Sequence, residues 1–272
     1  VSKGNKESHW MSVLLFLMAM TISSLSHAET LKVCYDQWAP MTIFPSEEQP
    51  ERGVVIDMLE HIYSSHGYSL EYYEVPLARG LSMVSDGLCD MLPEYVLLPR
   101  AEVTFEYATE ATFAYTTAFV VRRDDPWRYA GKLSLEGKRI ATGPGWDYSS
   151  MSLDYQTYID DPHNADFVEI IAGNDDVVKR VMHMIKENRI DLYADNELVL
   201  QYVLNYVKLQ DDLMIVRPGL ENKLIEFPIF SNKLPIMKRK KLIKIWEEGR
   251  LQMKGKQEVI FLKKYNVRLQ DQ

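Results

Sequence analysis

The chain has 272 residues, 46% of them hydrophobic and 26% charged, with a formal net charge of −8. That acidic balance argues against nucleic acid and anionic membrane as partners, yet leaves room for one cationic pocket within an acidic surface. The length suits one large domain or two modest lobes, each with its own core.

Residues 1–28 read as a secretory signal peptide rather than as part of the fold. Lys3 and Lys6 give a positive start, Met11 to Ile22 is apolar apart from Ser12 and Thr21, and Ser26-His27-Ala28 offers small residues at both ends of a cleavage site. About 12 apolar residues are too few for a bilayer span, which takes about 20. The expectation is an exported, soluble protein beginning at Glu29. Its two cysteines, Cys34 and Cys89, would then meet an oxidising compartment. Adjacent parallel strands seldom present the geometry of a disulfide, so buried free thiols are favoured and a bridge stays open.

Leu31 to Asp36 is a short strand, followed by a loop rich in proline and turn residues. After Gly53, the spacing of Val55, Met58, Leu59 and Ile62 predicts a helix with Gly67 as its cap. Leu70 to Val75 is a second strand, and Pro76 opens a helix carrying Arg79, with Leu81, Val84 and Leu88 as its apolar side and Asp86-Gly87 as its stop. A strand from Asp90 to Pro93 completes β-α-β-α-β and leads into a loop from Glu94 to Arg100. Ligands gather at the carboxyl ends of strands in open α/β sheets, which makes that loop a binding-site candidate. A guanidinium withdrawn from water needs an anion, so Arg100 facing a cleft would want a ligand carboxylate or an acidic side chain.

The pattern then recurs. Ala118 to Arg122 and Lys138 to Thr142 are strands, GPGW is a turn, and Asp147 to Ile159 is a helix. Phe167 to Ala172 is a strand, Asn174 can cap a helix with Val178, Val181, Met182 and Ile185 on one face, and Ile190 to Ala194 is a strand ending at Asp195-Asn196. A helix runs on to about Lys208. LSMVSDGLCDM and VMHMIKENRIDLYAD share one order: helix, polar turn, aspartate, apolar strand. Two doubly wound lobes follow from that repetition. Leu224 to Phe230 is a further strand. Lys238 to Met253 is a helix with Leu242, Trp246 and Met253 on its apolar side and KRKK (238–241) as a solvated face, and GKQEVIFLKKY is a last helix.

Taken together, LKVCYDQWAPMTIF, GVVIDML, VPLARGLSMVSDGLCDM, PRAEVTFEYA, LEGKRIATGPGW, NRIDLYADN and GKQEVIFLKKY resemble, in order and spacing, the family-3 periplasmic solute-binding proteins. These are the substrate receptors of polar amino-acid ABC importers. The resemblance implies an α/β, type II periplasmic binding protein fold of two lobes joined by two hinge strands. Lobe one would hold residues 29–115 and 228–272 and lobe two residues 116–227, with FAYTTAFVV and LIEFPIF crossing between them.

The same resemblance implies roles residue by residue. Arg100 matches the arginine that holds an amino acid's α-carboxylate through bidentate geometry. Asp36 falls where the family often contacts the ligand's polar end, and Trp38 lies in the loop supplying an aromatic lid. Asp195, or Asn196 one place on, matches the carboxylate that pairs with the α-ammonium. Gly143 and Gly145 match a turn that lets backbone amides approach the ligand. Pro93, Glu94 and Tyr95 replace the usual glycine and hydroxyl residue before the arginine, which puts the customary ammonium contacts in question. Arg79 is either a second anion contact or a helix-surface charge. Trp38, Tyr95, Trp146 and Tyr148 could clamp an apolar ligand body or serve as core aromatics. Asp195 could equally cap the following helix.

Catalytic constellations are poor. His61, His66, His163 and His183 form no metal-ligand pair, there is no G-x-S-x-G, and no Gly-Lys-Ser/Thr follows GPG to make a phosphate loop. The expectation is therefore a monomeric periplasmic receptor, without metal or cofactor, that captures a small carboxylate-bearing solute such as an amino acid. It would present that solute to an ABC permease or a membrane sensor. The alternatives are an enzyme on the same fold, resembling cyclohexadienyl dehydratase with Glu94 as general acid, or a sensing module for a signalling partner.

Overall fold

The computed structural model describes residues 28–97, 104–173, 176–219 and 223–266. The signal-like segment up to residue 27, Arg100 and the expected cap Asn174 lie outside those residues.

The first strand, β1 (Glu29–Tyr35), pairs in parallel with β2 (Tyr68–Glu74) along its whole length and with β3 (Met91–Val96) at Val33 and Met91. Parallel neighbours need crossovers, supplied here by α1 (Val54–Ser64) and α2 (Leu77–Asp86). On α1 the predicted stripe Val55, Met58, Leu59 and Ile62 is fully buried. Its entry is fixed by Gly53, at φ 101°, where an added Cβ would lie 2.4 Å from the Met41 carbonyl oxygen. The stripe expected on α2 holds only in part. Val84 is buried, but Gly87 closes the helix in the left-handed region at φ 80° and turns the chain so that Leu88 faces solvent.

Two expectations for this region are corrected. Glu94 and Tyr95 are not loop residues: β3 continues to Val96 with every residue buried. It continues because β10 (Lys223–Ser231) pairs antiparallel on its other side, aligning Glu226 with Val96 and Phe227 with Tyr95. Pro228, lacking an N–H, sits where that register shifts. The cysteines are not free thiols either: Cys34 and Cys89 form a disulfide, with Cα atoms 5.8 Å apart. Cys89 precedes β3 and lies in the turn after α2, so the objection to bridging neighbouring strands does not apply to it.

β5 (Phe113–Arg122) joins the two halves of the sheet. Its residues 113–116 pair with β10, and its residues 117–121 pair with β8 (Leu192–Asn196). Beyond it lie β6 (Ile140–Thr142) and β7 (Val168–Ile170), giving the order β2-β1-β3-β10-β5-β8-β6-β7. Two short strands escaped the sequence reading: β4 (Phe105–Tyr107) on β10 and β9 (Leu213–Val216) on β5. The helices of this half are α3 (Leu153–Asp160), α4 (Val177–Lys186) and α5 (Glu197–Tyr206). The helix expected from Asp147 starts at Leu153, because the Ser152 hydroxyl accepts from the Tyr155 N–H at 3.2 Å and caps it there. On α4, Asp176 is the cap, and Val178, Val181, Met182 and Ile185 are buried as predicted.

The repeated helix–turn–aspartate–strand unit is physical as well as textual. Asp90 exchanges bonds with Lys32, its N–H donating to the Lys32 carbonyl at 2.8 Å and its carboxylate accepting from the Lys32 N–H at 2.9 Å. Asp191 does the same with Arg139, at 2.8 and 2.9 Å. Each aspartate thus locks its strand to the parallel neighbour.

The chain ends with α6 (Ile236–Met253) and α7 (Lys256–Lys264), which return to the first half. Leu242, Trp246 and Met253 are buried; the Tyr63 hydroxyl donates to the Leu242 carbonyl at 3.1 Å, and Tyr265 accepts from the Gly53 N–H at 3.0 Å. KRKK is only half a solvated face. Lys238 pairs with Glu29 at 3.1 Å and Arg239 with Glu106 at 2.5 Å. Among the described residues no helix is long and apolar enough to cross a membrane.

Candidate functional site

Four strands deliver a carboxyl group to one place. Asp36 follows β1, Glu94 lies in β3, Asp195 in β8 and Glu226 in β10. They line a cleft together with Trp38, Tyr95, Trp146 and Tyr148, and no lysine or arginine is among its described lining residues. Two buried strand residues shape the acid positions. Tyr193 donates its hydroxyl to Asp195, and Tyr115 donates to Glu94.

The cleft is closed over by contacts between the halves. The Trp38 indole N–H donates to both oxygens of Asp195, at 3.0 and 3.2 Å, and Gln49 donates to the Tyr202 hydroxyl at 3.2 Å. Trp38 also packs edge-on against Tyr115, with ring centroids 5.5 Å apart. One aromatic pair therefore links a donor of Asp195 to the donor of Glu94.

Burial, with no described cation beside them, raises the pKa of all four acids. For Asp195 desolvation outweighs the hydrogen bonds from Tyr193, the Asn196 N–H and Trp38, and the carboxyl is pushed up to about 7. Desolvation likewise raises Glu94 to about 8 against the bond from Tyr115, with the Asp36 charge adding to the rise. Asp36 rises to about 6 through desolvation, opposed by a backbone N–H. Glu226 is pushed well above the carboxylate range, by burial first and then by Glu94, Asp36 and Asp195. One oxygen of Glu94 and one of Glu226 are buried without a hydrogen-bond partner. Among the described residues no three His, Cys, Asp or Glu side chains are placed to hold a metal ion.

Of the sequence candidates, Asp36, Trp38, Glu94, Tyr95, Gly145, Trp146 and Asp195 come together on this cleft. Gly143 acts one step back: a Cβ there would lie 2.5 Å from the Trp146 ring, so the glycine lets the indole lie across the turn. Arg79 is elsewhere, exposed on the rim of an adjoining cavity of about 880 Å³ that shares Asp36, Leu77 and Trp146 with the cleft. Asn196 and Asp195 differ in what they hold. Asn196 caps α5, accepting from the Leu198 N–H at 2.9 Å, while Asp195 takes the Trp38 bond, so the reading of Asp195 as the cap is corrected. Glu226 and Tyr115 were missed. Both lie in strands read as hinge crossings, and only the pairing of β10 with β3 and β5 brings Glu226 to the cleft.

No family model matches the sequence, and no curated protein does. Solved structures do. An ancestral arginine-binding protein bound to arginine is 14% identical with a TM-score of 0.69, over 88% of this chain and 99% of that one. A histidine kinase sensor domain with similarity to periplasmic binding proteins is 15% identical with a TM-score of 0.69, over 90% and 99%. A substrate-binding protein of an ABC uptake transporter from Streptococcus pneumoniae, with bound histidine, is 13% identical with a TM-score of 0.69, over 87% and 92%. At such identities the likeness establishes the fold: this chain has the two-lobed α/β fold of the family-3 solute-binding proteins.

Proposed function

We propose that the protein is an exported, periplasmic receptor that closes its two lobes on a small solute of about amino-acid size. The lobes would be residues 29–115 with 228–272, and residues 116–227, hinged on β5 and β10. The observation that carries this reading is the pair of bonds from Trp38 to Asp195, 3.0 and 3.2 Å long, spanning a cleft lined from both halves. A ligand touching both sides favours closure because its contacts exist only in the closed state. Arg100 is kept in the proposal as the anchor for a ligand carboxylate, on the strength of the resemblance.

The closed form would be presented to an ABC permease or to a membrane sensor. Small-angle scattering of the protein, with and without a ligand found by melting-curve screening, tests the reading: a compaction on binding supports it, and unchanged dimensions with every ligand reject it. One observation favours a second reading. Glu94, raised to about 8 and presenting an unpaired oxygen, is a proton donor at neutral pH. A dehydratase using it would convert prephenate or arogenate, and product analysis after incubation decides the matter.

A further inference from the structure

The receptor reading leaves the ligand open, and the cleft narrows it. Buried acids are ordinarily paired, since an isolated buried carboxylate costs several kcal/mol or gives up its charge. Here four acids from four strands, Glu94 and Asp195 buried and Asp36 and Glu226 partly so, share one cleft with no described cation among its lining residues. Elsewhere the same fold pairs its buried charges closely: Glu197 with Arg217 at 2.6 Å, and Arg250 with Glu258 at 2.9 Å. Among the described residues the shortage of positive charge is thus local to the cleft, Arg100 lying outside them.

A second observation points outward to a ligand. Glu94 is 7% exposed, and one of its oxygens has no partner although the side chain lines the cleft. A buried acceptor left in that state is costly unless something else donates to it. The acids also fall into two stations. Asp195 is held by Trp38 and Tyr193 and Glu94 by Tyr115, so different donors fix the two acids, and the donors Trp38 and Tyr115 pack edge-on. Glu226 belongs with Glu94, whose charge is the largest of the neighbouring charges acting on it. Aromatic rings at Trp38, Tyr95, Trp146 and Tyr148 complete the lining, a surface suited to ammonium or guanidinium groups and to the carbon chain between them.

Resting on the receptor reading, we infer that the ligand of this cleft is an organic dication: two ammonium or guanidinium centres joined by a short carbon chain. One centre sits at Asp195 and Asp36, and the other donates to the free oxygens of Glu94 and Glu226. Two chemistries meet this description, a simple diamine and a basic amino acid, and they differ in whether a carboxylate accompanies the charges.

The test is calorimetry on the protein at pH 7.5 with 1,4-diaminobutane, 1,5-diaminopentane, L-lysine and L-arginine, against 1-aminobutane, L-glutamine and L-glutamate. At least one dication is expected to bind 10-fold or more tighter than all three controls. Diamines binding as well as L-lysine would assign the site to free amines, and the reverse would assign it to basic amino acids; both support the inference. Glu94→Gln and, independently, Glu226→Gln should each weaken that binding about 10-fold or more while leaving the ligand-free melting temperature the same or higher. Should Glu94→Gln fail to fold, the half-buried Glu226→Gln still decides. Tightest binding by L-glutamine, L-glutamate or 1-aminobutane overturns the inference and leaves the receptor reading intact. No binding by any dication also overturns it, and the receptor reading falls too only if a wider solute screen finds nothing.

Discussion

Asp191 and Asp195 flank one short strand, four residues apart, and the fold treats them in opposite ways. Asp191 accepts from the Arg139 N–H at 2.9 Å, from two Arg139 side-chain nitrogens at 3.0 and 2.8 Å, and from Arg122 at 3.2 Å. Burial pushes its pKa up, but these donors outweigh it and hold the group at about 2. Asp195 receives an indole, a phenol and one backbone N–H, no cation, and stands at about 7. Arg122 and Arg139 thus stand at the closed end of this sheet, away from the described lining of the cleft. The closed ends brace the fold, and the open ends of the strands are left electrostatically unfinished.

Removing the braces should unfold the protein, and altering the cleft should not. The first half is braced covalently: closing a loop across 55 residues removes about 4 kcal/mol of unfolded-state freedom in the chain-entropy view. Reduction, or Cys34→Ser with Cys89→Ser, is expected to lower stability by about that much, read by urea denaturation under oxidising and reducing conditions. The second half is braced by charge. Asp191→Asn takes the carboxylate from Arg139 and leaves Arg122 only Asp125 at 3.7 Å and backbone carbonyls such as Ile190 at 3.1 Å, and should cost about 3 kcal/mol, or roughly 10 °C in melting temperature. Asp195→Asn, four residues on, should leave the melting temperature unchanged or raise it. Equal destabilisation by the two would erase the distinction drawn here.

The pH dependence should separate the regions with opposite signs. Asp36, Asp195 and Glu94 have folded-state values raised from 3.8, 3.8 and 4.5 to about 6, 7 and 8. The unfolded chain releases these protons first, so their contribution is full below about pH 4, declines as pH rises, and is gone by about pH 8. Asp191, depressed from 3.8 to about 2, works the other way: its stabilisation is present above about pH 4 and is lost as pH falls toward 2. Ligand-free protein should therefore be most stable near pH 4 to 5 and lose several kcal/mol by pH 8, since each pKa unit is worth about 1.4 kcal/mol. Urea titrations across that range check it, and a flat profile above pH 5 would mean that the cleft acids are paired after all.

What the sequence revealed follows the same division. Periodic apolar residues and cap signals carry local information, and they placed α1, α4, α6 and β1 because Val55, Met58, Leu59 and Ile62, or Leu242 and Trp246, bury the faces that their spacing dictates. The repeated helix–turn–aspartate unit was also legible, down to Asp90 and Asp191 taking the same backbone bonds. Long-range pairing was not. β3 outran its predicted end because β10, more than 120 residues later, hydrogen-bonds to it, and Glu226 reaches the cleft for the same reason. The disulfide was misjudged for a local reason, since a one-turn displacement of Cys89 from the strand changes the geometry of the pair. Residue types picked out Asp36, Glu94 and Asp195, but that no described lysine or arginine lines the cleft beside them emerges only when four strands converge.

The smallest expected effect is the most local. Gly143 has space for the Trp146 indole and for nothing more: a methyl group at Cα would lie 2.5 Å from the ring, closer than carbon atoms approach. Trp146 lines the cleft and also contacts Tyr193, the donor to Asp195, with ring centroids 5.9 Å apart. Gly143→Ala must therefore move the indole rather than the buried strand behind it, because β6 pairs with β7 and β8 and the Trp146 side is open to the cavity. Stability should change by less than about 1 kcal/mol, as for a substitution absorbed at a rim. Ligand affinity should fall about 10-fold, equivalent to about 1.4 kcal/mol, because one wall of the closed site no longer meets the bound molecule. Calorimetry and a melting curve on the same sample separate the two quantities. A loss of stability without a loss of affinity would place Trp146 among the braces instead of in the cleft.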